Sequence, residues 1–518
     1  MKKISTSFLT LRLIQSIALL MLAACNVTRP PATTPPSAPT AASAPATSAP
    51  SSPIAPPDSW TDLGIYQPGL VSSARPILNE MTGASVYHIS LTIDADLVHV
   101  EGHELVHYTN REDVPLTEIQ MRLFPNILGG QMTYDNLLVD NAEIDTDLQM
   151  INSLLILHLN EPLAIGASVA ISMDFAIEVP TSVELNYGVQ ASYNGVLTLA
   201  HAYPMIAVYN EEGWNAEIPP QSGDVTFADM SFFYVSITAP DDVTIVASGE
   251  ESVPERSARQ QVVHVAAGPA RDFFVAASRD YEVISQTVGG VTINSYAPKA
   301  DRAGSQIALE VAARAIETFS DLFTQYPYSE LDIVSTPTLA LGVEYPGAVA
   351  IADRLYSDAY YAERTNDYRE STVAHEVAHQ WFYNLIGNDQ LDEPWLDESL
   401  AQFATWEYYR VNYGAEAASE FEFGLLGRWG RVENALVAID QPVAAFSSSE
   451  YGAIVYGRGP LFFGALRTEI GEENFSAFIK DYAQTFSWGI ASAEGLRALA
   501  EKHCGCDLSA LFEEWIYP

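Results

Sequence analysis

The stretch that most constrains this 518-residue chain is His375-Glu376-Val377-Ala378-His379, followed nineteen positions later by Glu398. In a helix, residues i and i+4 lie on one face about a turn apart, so both imidazoles can reach one ion at about 2.0–2.1 Å. Ser371 to Phe382, free of Gly and Pro, is accordingly predicted to be one amphipathic helix. A second helical run is predicted to open at Trp395-Leu396-Asp397-Glu398-Ser399-Leu400-Ala401. Two histidines and one carboxylate, with a fourth position kept for water, are a standard ligand set for catalytic zinc. His375, His379 and Glu398 are therefore the expected metal ligands, holding one Zn2+ per chain.

Charge narrows the partners. Asp plus Glu number 66 against 25 Lys plus Arg, a formal net charge of -41, and only five residues are lysine. A surface so acidic repels phosphate backbones, which excludes nucleic acid. No protein partner is legible.

The first 24 residues read as an export signal: Lys2 and Lys3, a mostly apolar run from Leu13 to Leu22, then small residues before Cys25. The run is too short to cross a bilayer, which takes about 20 residues. Leu22-Ala23-Ala24-Cys25 resembles the bacterial lipobox, which implies lipidation of Cys25 and an extracytoplasmic protein held on the cell membrane. Residues 25–58, with ten prolines between Pro30 and Pro57 and otherwise mainly Ala, Thr and Ser, read as an extended stalk.

From about residue 59 the pattern is that of strands. Val86 to Ile93, Val98 to Tyr108, Leu154 to Leu159, Val169 to Met173, Phe232 to Thr238, Val243 to Ala247 and Val262 to Ala266 suggest antiparallel sheet. His88, His99, His103 and His107 fall among them at strand spacing and are read as solvated or locally satisfied. Later the period becomes helical, as in Ser305 to Phe323, with Leu331 to Val334 as a strand. The division is placed at residue 285, ahead of Gly289-Gly290. The expected fold is thus multidomain, an N-terminal antiparallel β-domain (59–285) followed by a mainly helical α/β catalytic domain (286–518).

His375-Glu376-Val377-Ala378-His379-Gln380-Trp381-Phe382, the eighteen-residue gap and Trp395-Leu396-Asp397-Glu398 resemble the aminopeptidase N family of gluzincin metallopeptidases. Leu341-Gly342-Val343-Glu344-Tyr345-Pro346-Gly347 stands where that family has G-x-M-E-N on an edge strand, and matches it at Gly342 and Glu344. Tyr456-Gly457-Arg458-Gly459 is similar to the family's Y-x-K-G, with Arg458 for lysine. The ending from Asp507 to Trp515 and the start from Tyr87 to Asn126 are also similar. The resemblance implies a thermolysin-like catalytic domain, peptide substrates and the following roles.

Glu376, between two ligands but not one itself, is the general base that takes a proton from the attacking water and returns it to the leaving amine. Tyr456, with Tyr451 as the alternative, helps hold the tetrahedral oxyanion. Glu344, with Gly342 beside it, receives the substrate's free α-ammonium through charge-assisted hydrogen bonds, which makes a peptidase an aminopeptidase.

Three departures go with this. Tyr345-Pro346 replaces the asparagine after Glu344, and no N-domain polar residue beside the substrate amine can be located. Thr405 stands where many members carry a carboxylate orienting a ligand histidine, so Thr405, Gln402 or a backbone carbonyl is expected to do this. The chain ends at Pro518 without the family's C-terminal helical domain, so an open cleft is expected. The alternatives are a zinc endopeptidase and a catalytically silent peptide-binding lipoprotein. Cys504-Gly505-Cys506 is read as a structural turn.

Overall fold

The computed structural model describes residues 60–220, 223–361 and 368–517. The expected signal segment, Cys25 and the expected stalk lie outside the described residues.

The N-terminal half is built on a large twisted sheet. Its strands are β1 (Ser85–Ile93), β2 (His99–Thr109), β3 (Gln131–Val139), β4 (Ser168–Glu178), β5 (Ser231–Pro240), β6 (Glu250–Glu251) and β7 (Gln260–Ala270), in the order β6-β7-β5-β1-β2-β4-β3, with a short eighth strand, Glu255–Ser257, also paired to β7. Alternation along β1 sends Tyr87, Ile89, Leu91 and Ile93 into the core shared with two four-stranded sheets. One pair departs from the antiparallel expectation: β1 and β5 run parallel, Ser85 opposite Ser231 through Thr92 opposite Thr238. Parallel neighbours need a long crossover, and everything between residues 93 and 231 supplies it. His99 bonds Asp96 and His103 bonds Asp174, both at 2.7 Å, while His88 and His107 pack against the Trp60 ring.

The second half opens with a five-stranded sheet: β8 (Tyr281–Val288), β9 (Val291–Pro298), β10 (Glu330–Thr336), β11 (Gly342–Tyr345) and β12 (Ala348–Ala352), ordered β8-β9-β10-β12-β11. The expected division at residue 285 falls inside β8. Because β8 and β9 form one hairpin around Gly289-Gly290, the boundary moves to between Ser278 and Tyr281. The long helix α1 (Arg302–Leu322) packs on this hairpin and on α2 (Arg369–Ala378), the helix of the histidine motif. α2 in turn meets α3 (Trp395–Tyr413). Further helices continue to Trp515.

Arg271, 2% exposed, pins the two halves together. Its guanidinium donates to the carbonyls of Ala228, Tyr383, Asn384 and Gly489 at 2.5 to 3.1 Å. Gly387 has no side chain because a Cβ there would overlap that guanidinium. Cys504 and Cys506 are disulfide-bonded around Gly505, the left-handed residue that ends the helix Ala493–Cys504.

Candidate metal centre and active site

The motif helix is shorter than its sequence pattern. It ends at Ala378, with His379 as its cap, and the chain then widens into a turn with bonds from Asn384 N to His379 O (3.0 Å), Leu385 N to Gln380 O (3.2 Å) and Ile386 N to Trp381 O (2.8 Å). Trp381 and Phe382, both fully buried, anchor this turn in the helical core. It also leaves the Phe382 carbonyl 2.8 Å from His379 Nδ1, which sets the tautomer and frees Nε2 for a metal.

His379 Nε2, His375 Nε2 and Glu398 Oε2 form a triangle with sides of 3.3 Å (His375 to His379), 3.1 Å (His375 to Glu398) and 3.3 Å (His379 to Glu398). A tetrahedral ion about 2.0–2.1 Å from each ligand spaces them about 3.3 Å apart, so the set fits zinc. All three are buried, His379 almost completely. Burial opposes charge on Glu398, but the two histidines beside it outweigh burial and hold the carboxylate ionised.

Glu376 points to the same spot from α2. Its carboxylate lies directly over Gly342 of edge strand β11, where a Cβ would overlap it. Glu344, two residues along β11, offers an oxygen within 4.8 Å of ligand atoms of both Glu376 and His379. Gln390 donates to Asp397 (2.8 Å) and to Glu344 (3.4 Å). Burial first, then the charge of Glu344, pushes Glu376 well above the usual carboxylate range.

Tyr456, not Tyr451, reaches the cluster: its hydroxyl donates to Glu398 Oε1, and its ring lies 5.9 Å from that of His375. It sits on a short π-turn (Ile454–Arg458), a widening that aims one side chain out of the helical register. Tyr451 packs behind it, with ring centroids 5.7 Å apart.

The second half matches the model described as the peptidase family M1 domain over residues 307–515. Residues 307–515 are thus similar to a peptidase family M1 domain. The chain's sequence is similar to Aminopeptidase M1-B of Oryza sativa subsp. japonica, 27% identical over 252 residues, 46% of this chain and 28% of that protein. It is also similar to Aminopeptidase N of Lactococcus lactis subsp. cremoris, 25% identical over 254 residues, 45% of this chain and 29% of that protein. The aligned region thus spans less than a third of either relative. The fold extends further: an M1 zinc metallopeptidase mutant from Deinococcus radiodurans, bound to a Tyr-Ser-Ala substrate, superposes with a TM-score of 0.65 at 18% identity, covering 84% of this chain and 93% of that one. The N-terminal β-domain and the helical catalytic region therefore recur together, and the resemblance to the aminopeptidase N family holds.

Around this centre, one of the expected alternatives is met: a backbone carbonyl, that of Phe382, orients His379. Thr405 does not orient a ligand: its hydroxyl donates to Ala401 O at 2.8 Å, within its own helix, and His375 Nδ1 is buried without a partner among the described residues. A residue that sequence reasoning missed is Asp224, on an N-domain loop. Burial and then the charges of Glu344, Glu398 and Asp397 push its carboxyl well up, and its Oδ2 is buried without a donor. The preceding Gly223, at φ +86°, lets the loop pass the Tyr451 hydroxyl, which would lie 3.0 Å from a Cβ there. No local motif marks Asp224, because only tertiary packing brings it to this centre. Gln390 was missed for the same reason.

Proposed function

We propose that this chain is a zinc-dependent aminopeptidase that removes single N-terminal residues from peptides. The observation that carries this reading is the closeness of Glu344 to the base and to a ligand histidine, within 4.8 Å. In a peptide, the α-nitrogen and the carbonyl carbon of the same residue are about 2.5 Å apart. A carboxylate that holds the ammonium beside the metal cluster therefore presents the first peptide bond to it, and no later one.

His375, His379 and Glu398 hold the ion. When bound, zinc polarises the scissile carbonyl and lowers the pKa of water from 15.7 to about 7. Glu376 removes the proton from the attacking water and delivers it to the leaving nitrogen, a role suited to a carboxyl whose buried site favours protonation. The Tyr456 hydroxyl, already at the cluster, turns from Glu398 to donate to the oxyanion. Glu344 binds the ammonium, with Gln390 orienting it and the buried Asp224 carboxyl close by.

The deciding experiment compares free and N-acetylated peptides. Acetylation removes the charge and leaves Glu344 buried and unpaired, a cost of about 3–5 kcal/mol. Capped peptides should therefore lose roughly two to four orders of magnitude in kcat/KM. Glu344→Ala should erase most of that gap by lowering activity on free peptides. Equal cleavage of both by the unaltered protein would make it an endopeptidase.

The export signal and the lipobox-like Leu22-Ala23-Ala24-Cys25 support a further part of the proposal, that the enzyme works outside the cytoplasm, tethered to the membrane through Cys25.

A further inference from the structure

A second cluster of carboxylates lies where the two halves meet. Glu251 belongs to β6 of the N-terminal sheet, and Glu330 and Asp332 belong to β10 of the catalytic domain. Each offers an oxygen within 4.8 Å of the other two. The contact is tight, since a Cβ on Gly347 would stand 3.5 Å from Gly249 N, and Asp332 N donates to Gly347 O at 2.9 Å.

Asp332 is 1% exposed. Asn294 donates to its Oδ1 at 2.9 Å, but its Oδ2 is buried with no donor. Glu251 and Glu330 are only half-buried as residues, and Glu251 Oε1 accepts from Ala247 N at 2.8 Å. Among the described residues, no Lys, Arg or His forms an ion pair with any of the three, or with neighbouring Glu250. Carboxylates packed without a counter-charge must share protons or bind a cation.

We infer that Glu251, Glu330 and Asp332 form a calcium site that ties the N-terminal β-domain to the catalytic domain. The donors are all hard oxygens, with no nitrogen or sulfur to favour zinc. Calcium takes oxygen ligands at about 2.3–2.6 Å, so a spread of at most 4.8 Å suits a single ion between them. This ion would be separate from the zinc, and nothing in the peptidase reading requires it.

The test titrates CaCl2 into the zinc-loaded full-length protein, following binding by calorimetry and melting temperature by scanning calorimetry. One saturable calcium per chain and a Tm that rises to saturation are expected, with zinc content unchanged by elemental analysis. Asp332→Asn with Glu330→Gln should weaken calcium binding at least about tenfold. Glu251→Gln should do the same should the double variant fail to fold. Calcium uptake that is absent, or equal in wild type and variants, would overturn the site. So would a Tm indifferent to calcium that instead rises as pH falls, the behaviour of shared protons. Either failure leaves the zinc content and the acetylated-peptide comparison intact.

Discussion

The carboxylate of Glu376 rests on Gly342, in the space that any larger side chain on the edge strand would fill. Glu376, the proposed general base, is thus held by a backbone surface of β11, and the same strand carries Glu344 two residues on. The proposed base and the proposed ammonium site are spaced by one short strand.

Gly342→Ala should push Glu376 aside without touching a metal ligand. A displacement of about 1 Å at a catalytic group costs roughly 10²-fold in rate. Zinc content by elemental analysis should stay at one per chain while kcat falls. Unchanged kcat would show that Glu376 has room to spare.

Removing the base and removing the ligands should have different signatures. Glu376→Gln should keep the zinc and lower turnover by about 10² to 10⁴. His375→Ala combined with His379→Ala should lose the ion altogether. Stoichiometric zinc in that double variant would place the metal elsewhere.

A buried pair beside the site predicts how stability responds to pH. His201 Nδ1 lies 3.4 Å from Asp272 Oδ2, which accepts from Tyr383 OH at 2.6 Å. Burial lowers His201 from 6.5 to about 4, so its contribution to stability is lost as pH falls through that window. Burial raises Asp272 from 3.8 to about 7, so its contribution is lost as pH rises through that one. Between about pH 4 and 6.5 the two slopes cancel. In His201→Gln the opposing slope is removed, so between about pH 4 and 6.5 stability should fall more steeply with rising pH than in the unaltered protein, by up to about 1.4 kcal/mol per unit. Urea unfolding at several pH values reads this directly, and identical slopes in both proteins would contradict it.

Cys25→Ser should abolish acyl attachment and release the protein from the membrane fraction. A variant that stays bound through high salt and carbonate would mean another anchor.

What the sequence by itself determined is the chemistry carried at short range. A helix's geometry puts His375 and His379 on one ion and Glu376 beside it, and Glu398 opens the next helical run within a span that can fold back. Alternation marked the N-terminal strands for the same local reason. The tertiary structure decided whatever depends on chain segments meeting. It made β1 and β5 parallel across a connection of more than a hundred residues, assigned β8 to the catalytic sheet, and chose Tyr456 over Tyr451 through a π-turn. It also ended the motif helix at Ala378, since burying Trp381 and Phe382 required a wider turn than periodicity reveals. Asp224, Gln390 and the Glu251, Glu330 and Asp332 cluster belong to this second class. Their carboxylates and amide sit in unremarkable local sequence, and their proximity comes only from the packing of one domain or segment against another.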